Sequence, residues 1–209
     1  VLFRSGIDGV EAGAPPSLVP ETLRRRLRGF FARGRVALLN AIATRKLSSC
    51  RRVMQDGDTA LLVYGHPASD SGGNDAYFGD LMAQHETLKR LLHTDCAAGQ
   101  ALELGADGRT ASLHAWGSPL FALSLIFCQW RPAQRHLSGQ FGWLIRRAES
   151  NENSGGGPAM NRWQAHCQER WLDAARPGRV VWPWENHGWE RNLCRAARAR
   201  NITTIGYQH

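Results

Sequence analysis

The sequence predicts an α/β fold, a Rossmann-like parallel sheet flanked by helices. Two observations predict it. Short apolar runs bounded by turn residues, at 60–64, 110–116, 179–184 and 203–207, alternate with segments of helical spacing. Polar and titratable residues follow those runs, where the carboxyl ends of parallel strands would bring them together.

The elements follow in chain order. Residues 6–20 are rich in Gly, Ala and Pro and read as a lead-in. From about Pro20 to Leu47, Leu23, Leu27, Phe30, Phe31, Leu38, Leu39 and Ile42 recur at three- and four-residue steps with arginines between them. Gly29 and Gly34 weaken that helix and leave open a split in it. Asp56-Gly57 is a turn signal before the first strand, and PASDSGGND after it is a loop. The stretch AYFGDLMAQHETLKRLLHT has Phe78, Leu81, Met82, Leu88, Leu91 and Leu92 at helical spacing and predicts one helix.

Residues 100–104 and 110–116 suit either two strands about Asp107-Gly108 or one strand after a loop, and the second run is preferred as the strand. Ser118 with Pro119 behind it is a helix start, and that helix is expected to reach about Trp130. A further helical pattern begins at Phe141, is interrupted by ESNENSGGGP and resumes to Ala175, with Trp163 and Trp171 on one face. Pro183 cannot donate to a ladder, so RVVWPWEN places it at a strand end or on an edge. Asn186 or His187 then caps a helix with Glu190 in its first turn, and one more strand closes the pattern.

The 209 residues are 43% apolar and 21% charged, as in a soluble globular domain with a sizeable core. No apolar run approaches the length of a membrane span. Five scattered cysteines, never spaced CxxC, argue against a disulfide framework or a zinc site and suit a reducing cytoplasm. The net charge of +8 invites polyanions. Much of it lies early, in Arg24, Arg25, Arg26, Arg28, Arg33, Arg35, Arg45, Lys46, Arg51 and Arg52. That segment suits a helix docked on its own domain with a solvated basic face, the preferred reading, or an amphipathic element on an anionic membrane. Walker A, GxGxxG and GxSxG motifs are all absent.

The candidate site is the rim formed by the strand carboxyl ends. His66, Asn74 and Asp75 follow the first strand, Glu185, Asn186 and Trp189 follow the run at 179–184, and Tyr207, Gln208 and His209 follow the last strand. Glu185 is placed as a general base, His66 and His209 titrate near neutrality, and Asp75 suits either catalysis or a helix cap. His114 reads as structural. No metal-ligand spacing is present, so no metal site is expected.

At these residues a family resemblance enters. WENHGWERNLCRAARARNITTIGYQH resembles the segment E-N-x-x-W-E-R, a helix, then I-G-Y-Q-H, of bacterial surface-carbohydrate biosynthesis proteins. These look like GT-B glycosyltransferases of O-antigen and capsular polysaccharide assembly. DAYFGDL is similar to the family's opening helix, and FGWLIRRAE and NRWQAHCQERWL to its middle section. The resemblance spans roughly residues 58–209. It implies the N-terminal half of a GT-B fold with the C-terminal half missing, and Glu185, Asn186, Trp189 and His209 facing a cleft. It implies that Glu185 and His209 matter to catalysis without telling which is the base. Together with the strand-end positions, the candidate catalytic residues are Glu185, His209 and Asp75, and the candidate substrate-binding residues are His66, Asn74, Asn186, Trp189, Tyr207 and Gln208. It implies no metal or other cofactor.

The organisation expected from the sequence is therefore a basic, partly helical segment at 6–57 and a truncated Rossmann-like domain at 58–209. Residues 1–5, VLFRS, are also what one frame of a common sequencing adapter encodes, and are expected to be an artefact. The expected partners are a nucleotide-sugar donor, held mainly by the missing half, a saccharide or lipid-linked acceptor, and an anionic membrane surface. Nucleic acid is not expected. The expected location is the cytoplasm or the inner face of the cytoplasmic membrane. The rival readings are a non-catalytic α/β module that binds nucleic acid and a membrane-associated polysaccharide-assembly scaffold.

Overall fold

The computed structural model describes residues 23–131 and 142–208. Five strands form one parallel sheet: β1 (Thr59–Val63), β2 (Leu88–Leu92), β3 (Thr110–Ser112), β4 (Arg179–Pro183) and β5 (Thr203–Tyr207). The order is β3-β2-β1-β4-β5. Helices flank it: α1 (Leu23–Leu47), α2 (Leu81–Gln84), α3 (Ala98–Leu104), α4 (Pro119–Ser124), α5 (Gly142–Asn153), α6 (Gly157–Ala175) and α7 (Gly188–Arg198). This is a Rossmann-like α/β arrangement. No helix among the described residues is long and apolar enough to cross a membrane.

Central strands need apolar side chains on both faces, and β1 has them. Ala60, Leu61, Leu62 and Val63 are consecutive and all buried. β4 pairs with β1 from Arg179 to Val181 and with β5 from Arg179 to Pro183. Pro183 thus ends its strand beyond the β1 ladder, where its missing N–H costs nothing. Trp163, Trp171 and Trp182 are the largest fully buried side chains. Ser118 caps α4, accepting from the Phe121 N–H, with Pro119 in the first turn. This helix is shorter than the pattern suggested, ending at Ser124 before a 3-10 turn at Leu125–Phe127.

Residues 78–92 do not form the single helix expected of them. Helical spacing holds only across the one turn of α2, His85 turns extended, and 88–92 is strand β2. Adjacent Leu91 and Leu92 are both buried because β1 and β3 flank the strand and both faces are covered. Arg90 lies wholly buried in the same strand, between Asp75 (3.6 Å) and Asp107 (3.4 Å), and also donates to Thr110 Oγ1 (2.9 Å). A lone buried arginine would bar a strand from this position, and two carboxylates remove the bar. Residues 98–104 are likewise helical rather than extended. β3 stops at Ser112, and residues 113–116 wind into a 3-10 turn.

Gly29 and Gly34 do not split α1, which runs unbroken for 25 residues. A Cβ on Gly29 would overlap the Asn153 carbonyl, so glycine permits the close approach of α5. One turn on, buried Arg33 donates to the Ile126 and Asn153 carbonyls, both at 2.9 Å. Apart from Leu47 at its end, the helix turns small and polar residues inward: Gly29, Ala37, Asn40, Ala43 and Thr44. Thr44 Oγ1 donates to the His114 carbonyl (3.0 Å), tying the C-terminal part of α1 to the exit of β3.

Candidate active site

The order of the sheet reverses at β1. The chain steps from β1 to β2 on one side and then returns to place β4 on the other. A crevice at the carboxyl ends of β1 and β4 is the expected ligand position in such a sheet. Three loops meet there: 64–66 after β1, 93–95 after β2 and 184–187 after β4, the last leading into the first turn of α7.

The centre of the cluster is Tyr64. Its ring lies 4.8 Å from His93, 5.8 Å from Tyr77, 6.1 Å from Trp189 and 6.4 Å from His187, centroid to centroid. Trp189 Nε1 donates to Tyr64 Oη at 3.1 Å. Burial above all, and then the Glu185, Asp95 and Glu190 carboxylates, push the Tyr64 hydroxyl well above the ordinary phenol range, against the opposing effect of the Trp189 bond. Tyr77 is raised too, first by burial and then by Glu185 and Asp95. Both phenols therefore stay protonated at neutral pH.

Two carboxylate–imidazole pairs flank this aromatic centre. Glu185 Oε2 lies 3.0 Å from His187 Nε2, and Asp95 Oδ1 lies 3.2 Å from His93 Nδ1. The first pair is partly open to solvent. In the second, His93 is buried while Asp95 is half-exposed. The other His93 nitrogen meets the Gln164 amide from α6, and its ring lies 5.0 Å from Trp189. No group of three or more His, Cys, Asp and Glu side chains among the described residues is placed to hold a metal ion.

The loop bearing Glu185 is locked from beneath. Glu190, in the first turn of α7, is fully buried, and its Oε1 accepts the Glu185 backbone N–H at 3.0 Å. Its Oε2 has no hydrogen-bond partner among the described residues. Asn186 takes a left-handed conformation (φ 61°), which asparagine tolerates better than most residues. His187 occupies the N-cap position without a side-chain cap bond, so its imidazole is left to Glu185.

Of the residues singled out in the sequence, Glu185 and Trp189 belong to this cluster at the strand carboxyl ends, and Asn186 lies in the turn between them. His66 is at its margin, 6.2 Å from Tyr77, with Nδ1 accepting the Ala68 N–H. Asp75 lies behind the rim. Its oxygens accept from the Tyr77 N–H (2.9 Å) and Ser69 Oγ (3.2 Å), and it faces Arg90. Asn74 is exposed, and its backbone carbonyl accepts from Arg90 and from the Asp70 N–H. Tyr207 ends β5 at the outer edge, against Phe78, and Gln208 follows it, exposed. His209 lies outside the described residues, as do residues 1–22.

Sequence reasoning missed Tyr64, Tyr77, His93 and Asp95. His93 and Asp95 were hidden because 88–92 reads as helix. No local signal finds them, because LKRLL carries two charges and fits helical spacing, and only its pairing with β1 and β3 makes His93 a strand-end residue. A second cleft, about 650 Å³ and lined by Gly57, Asp173, Arg176, Gly178 and Arg200 among others, opens at the amino ends of β1, β4 and β5, away from this site. Comparison with protein-family models, curated proteins and solved structures finds no match to the chain.

Proposed function

We propose that the chain is the acceptor-binding lobe of a GT-B glycosyltransferase, which moves a sugar from a nucleotide-sugar donor to a growing surface polysaccharide or a lipid-linked acceptor. The observation that carries this reading is the Glu185–His187 pair beside an aromatic wall at the point where the sheet order reverses. Aromatic faces suit the apolar faces of a sugar ring. A solvent-reached carboxylate fixed at one oxygen by imidazole suits removal of a proton from an acceptor hydroxyl.

In this reading the acceptor hydroxyl donates to Glu185. The hydroxyl oxygen attacks the anomeric carbon of the donor, Glu185 takes the proton, and the anomeric bond to phosphate breaks with its electron pair leaving on the nucleotide. His187 orients the carboxylate, and Glu190 holds its backbone. The N-terminus of α7 does not suit the donor phosphates, because the buried Glu190 carboxylate already occupies its first turn. Donor binding accordingly falls to a second lobe.

The test reads tryptophan fluorescence of the 209-residue chain during titration with acceptor oligosaccharide and, separately, with nucleotide-sugar. Saturable quenching by acceptor alone, lost in Trp189→Phe, is expected. Equal affinity for the nucleotide-sugar would refute the lobe assignment, as would sugar transfer by the chain by itself. In a protein carrying both lobes, Glu185→Gln is expected to lower transfer by about 100- to 10,000-fold while acceptor binding persists. Unchanged transfer would leave Glu185 without a catalytic role and favour the scaffold reading.

A further inference from the structure

The side chains of α1 are distributed the wrong way round for a helix that only packs on its own domain. Its inward stripe is Gly29, Arg33, Ala37, Asn40, Ala43 and Thr44. Leu47 at its C-terminal end is buried, but Leu23, Leu27, Phe30, Phe31, Leu38, Leu39 and Ile42 are all exposed. Leu27, Phe31, Leu38 and Ile42 recur at steps of four, seven and four, which is one stripe, and all four are exposed, Phe31 by 69%. Arg24, Arg28 and Arg35, at steps of four and seven, form a second exposed stripe beside it, and Lys46 is exposed near the C-terminal end. The helix contains no acidic residue. The elements on which α1 leans add exposed Leu120, Leu123 and Phe127.

Independently of the transferase reading, we infer that this face docks the protein on the surface of an anionic lipid bilayer, with the leucine–phenylalanine stripe among the acyl chains and the arginine stripe at the headgroups. Charge complementarity selects this occupant. A second copy presenting the same face would bring the arginine stripes together. A nucleic acid would satisfy the arginines yet leave Leu27, Phe31 and Leu38 against phosphate or water. An anionic bilayer accepts both stripes at once, since apolar burial and attraction to anionic headgroups add in one geometry. α1 is amphipathic but interrupted by charge, so it lies on the membrane without crossing it.

The test is cosedimentation of the chain with vesicles of phosphatidylcholine alone and of phosphatidylcholine with phosphatidylglycerol. Binding is expected only to the anionic vesicles and is expected to weaken with salt. Each basic residue at such a surface contributes about fivefold, so Arg24→Gln/Arg28→Gln/Arg35→Gln should weaken binding about 100-fold. Phe31→Ser/Leu38→Ser leaves the charge intact and should also weaken it, by about tenfold or more for each residue. All five residues are exposed, so both variants should keep the wild-type circular dichroism. Three outcomes would overturn the inference. One is no binding to anionic vesicles. Another is vesicle binding indifferent to Phe31→Ser/Leu38→Ser, the mark of a surface that reads polyanions only. The third is a stable dimer in solution that both variants dissociate.

Discussion

Lowering the pH should destabilise this protein through His114, and the size of the effect follows from where that imidazole sits. His114 is buried, and its Nδ1 accepts a hydrogen bond from Trp163 Nε1 at 3.0 Å. The acceptor nitrogen must therefore be unprotonated. Burial lowers the folded-state pKa from 6.5 to about 4. An unfolded chain takes up the proton as the pH falls through 6.5, whereas the folded chain resists until about 4. Unfolding is thus increasingly favoured across that window, and the penalty is complete below it. At about 1.4 kcal/mol per pH unit the interval amounts to about 3 kcal/mol. The assay is urea unfolding at neutral pH and at successive steps down to the lower limit, for wild type and His114→Gln. Glutamine keeps an acceptor for Trp163 without titrating. His166, also lowered to about 4 by burial and then by Arg170, adds acid sensitivity of its own. The diagnostic quantity is therefore the difference between the two proteins. The variant should lose about 3 kcal/mol less than wild type on acidification. Parallel curves would show that His114 takes up its proton in the folded state at little cost, and would refute the reasoning.

The remaining predictions concern packing and the crevice. Arg90→Leu should cost about 3–5 kcal/mol in urea unfolding, because Asp75 and Asp107 would keep buried charge without their cation. A Cβ on Gly117 would press on the Trp163 ring and Thr44 Oγ1, so Gly117→Ala should lower stability by about 1–3 kcal/mol, and a neutral result would mean that α1 and α6 are not seated as described. Tyr64→Phe removes the acceptor of the Trp189 indole N–H and should cost about 1 kcal/mol, with the indole proton resonance of Trp189 moving in an NMR spectrum.

The part of the site that follows β4 was legible in the sequence, and the reason is local. Pro183 ends its strand, and His187 precedes a helix with Glu190 in its first turn. Turn and cap chemistry of this kind acts over a few residues, so Glu185 and Trp189 could be placed at a strand exit from their neighbours alone. The same short range made Ser118-Pro119 a dependable helix start. His93 and Asp95 were not legible, because their position depends on β2 being a strand.

The sequence by itself determined that short apolar runs would alternate with helices and that polar groups would follow the runs. Those properties belong to single segments. Tertiary structure alone decided the rest. LKRLL fits helical spacing and lacks the alternation of a strand, and it is a strand because it pairs with β1 and β3 along its two edges and two distant carboxylates neutralise Arg90. The inward face of α1 was likewise chosen by contact. Glycine, alanine and a carbonyl-bound arginine let the helix approach closely, and that geometry prevailed over the hydrophobicity of its outer stripe.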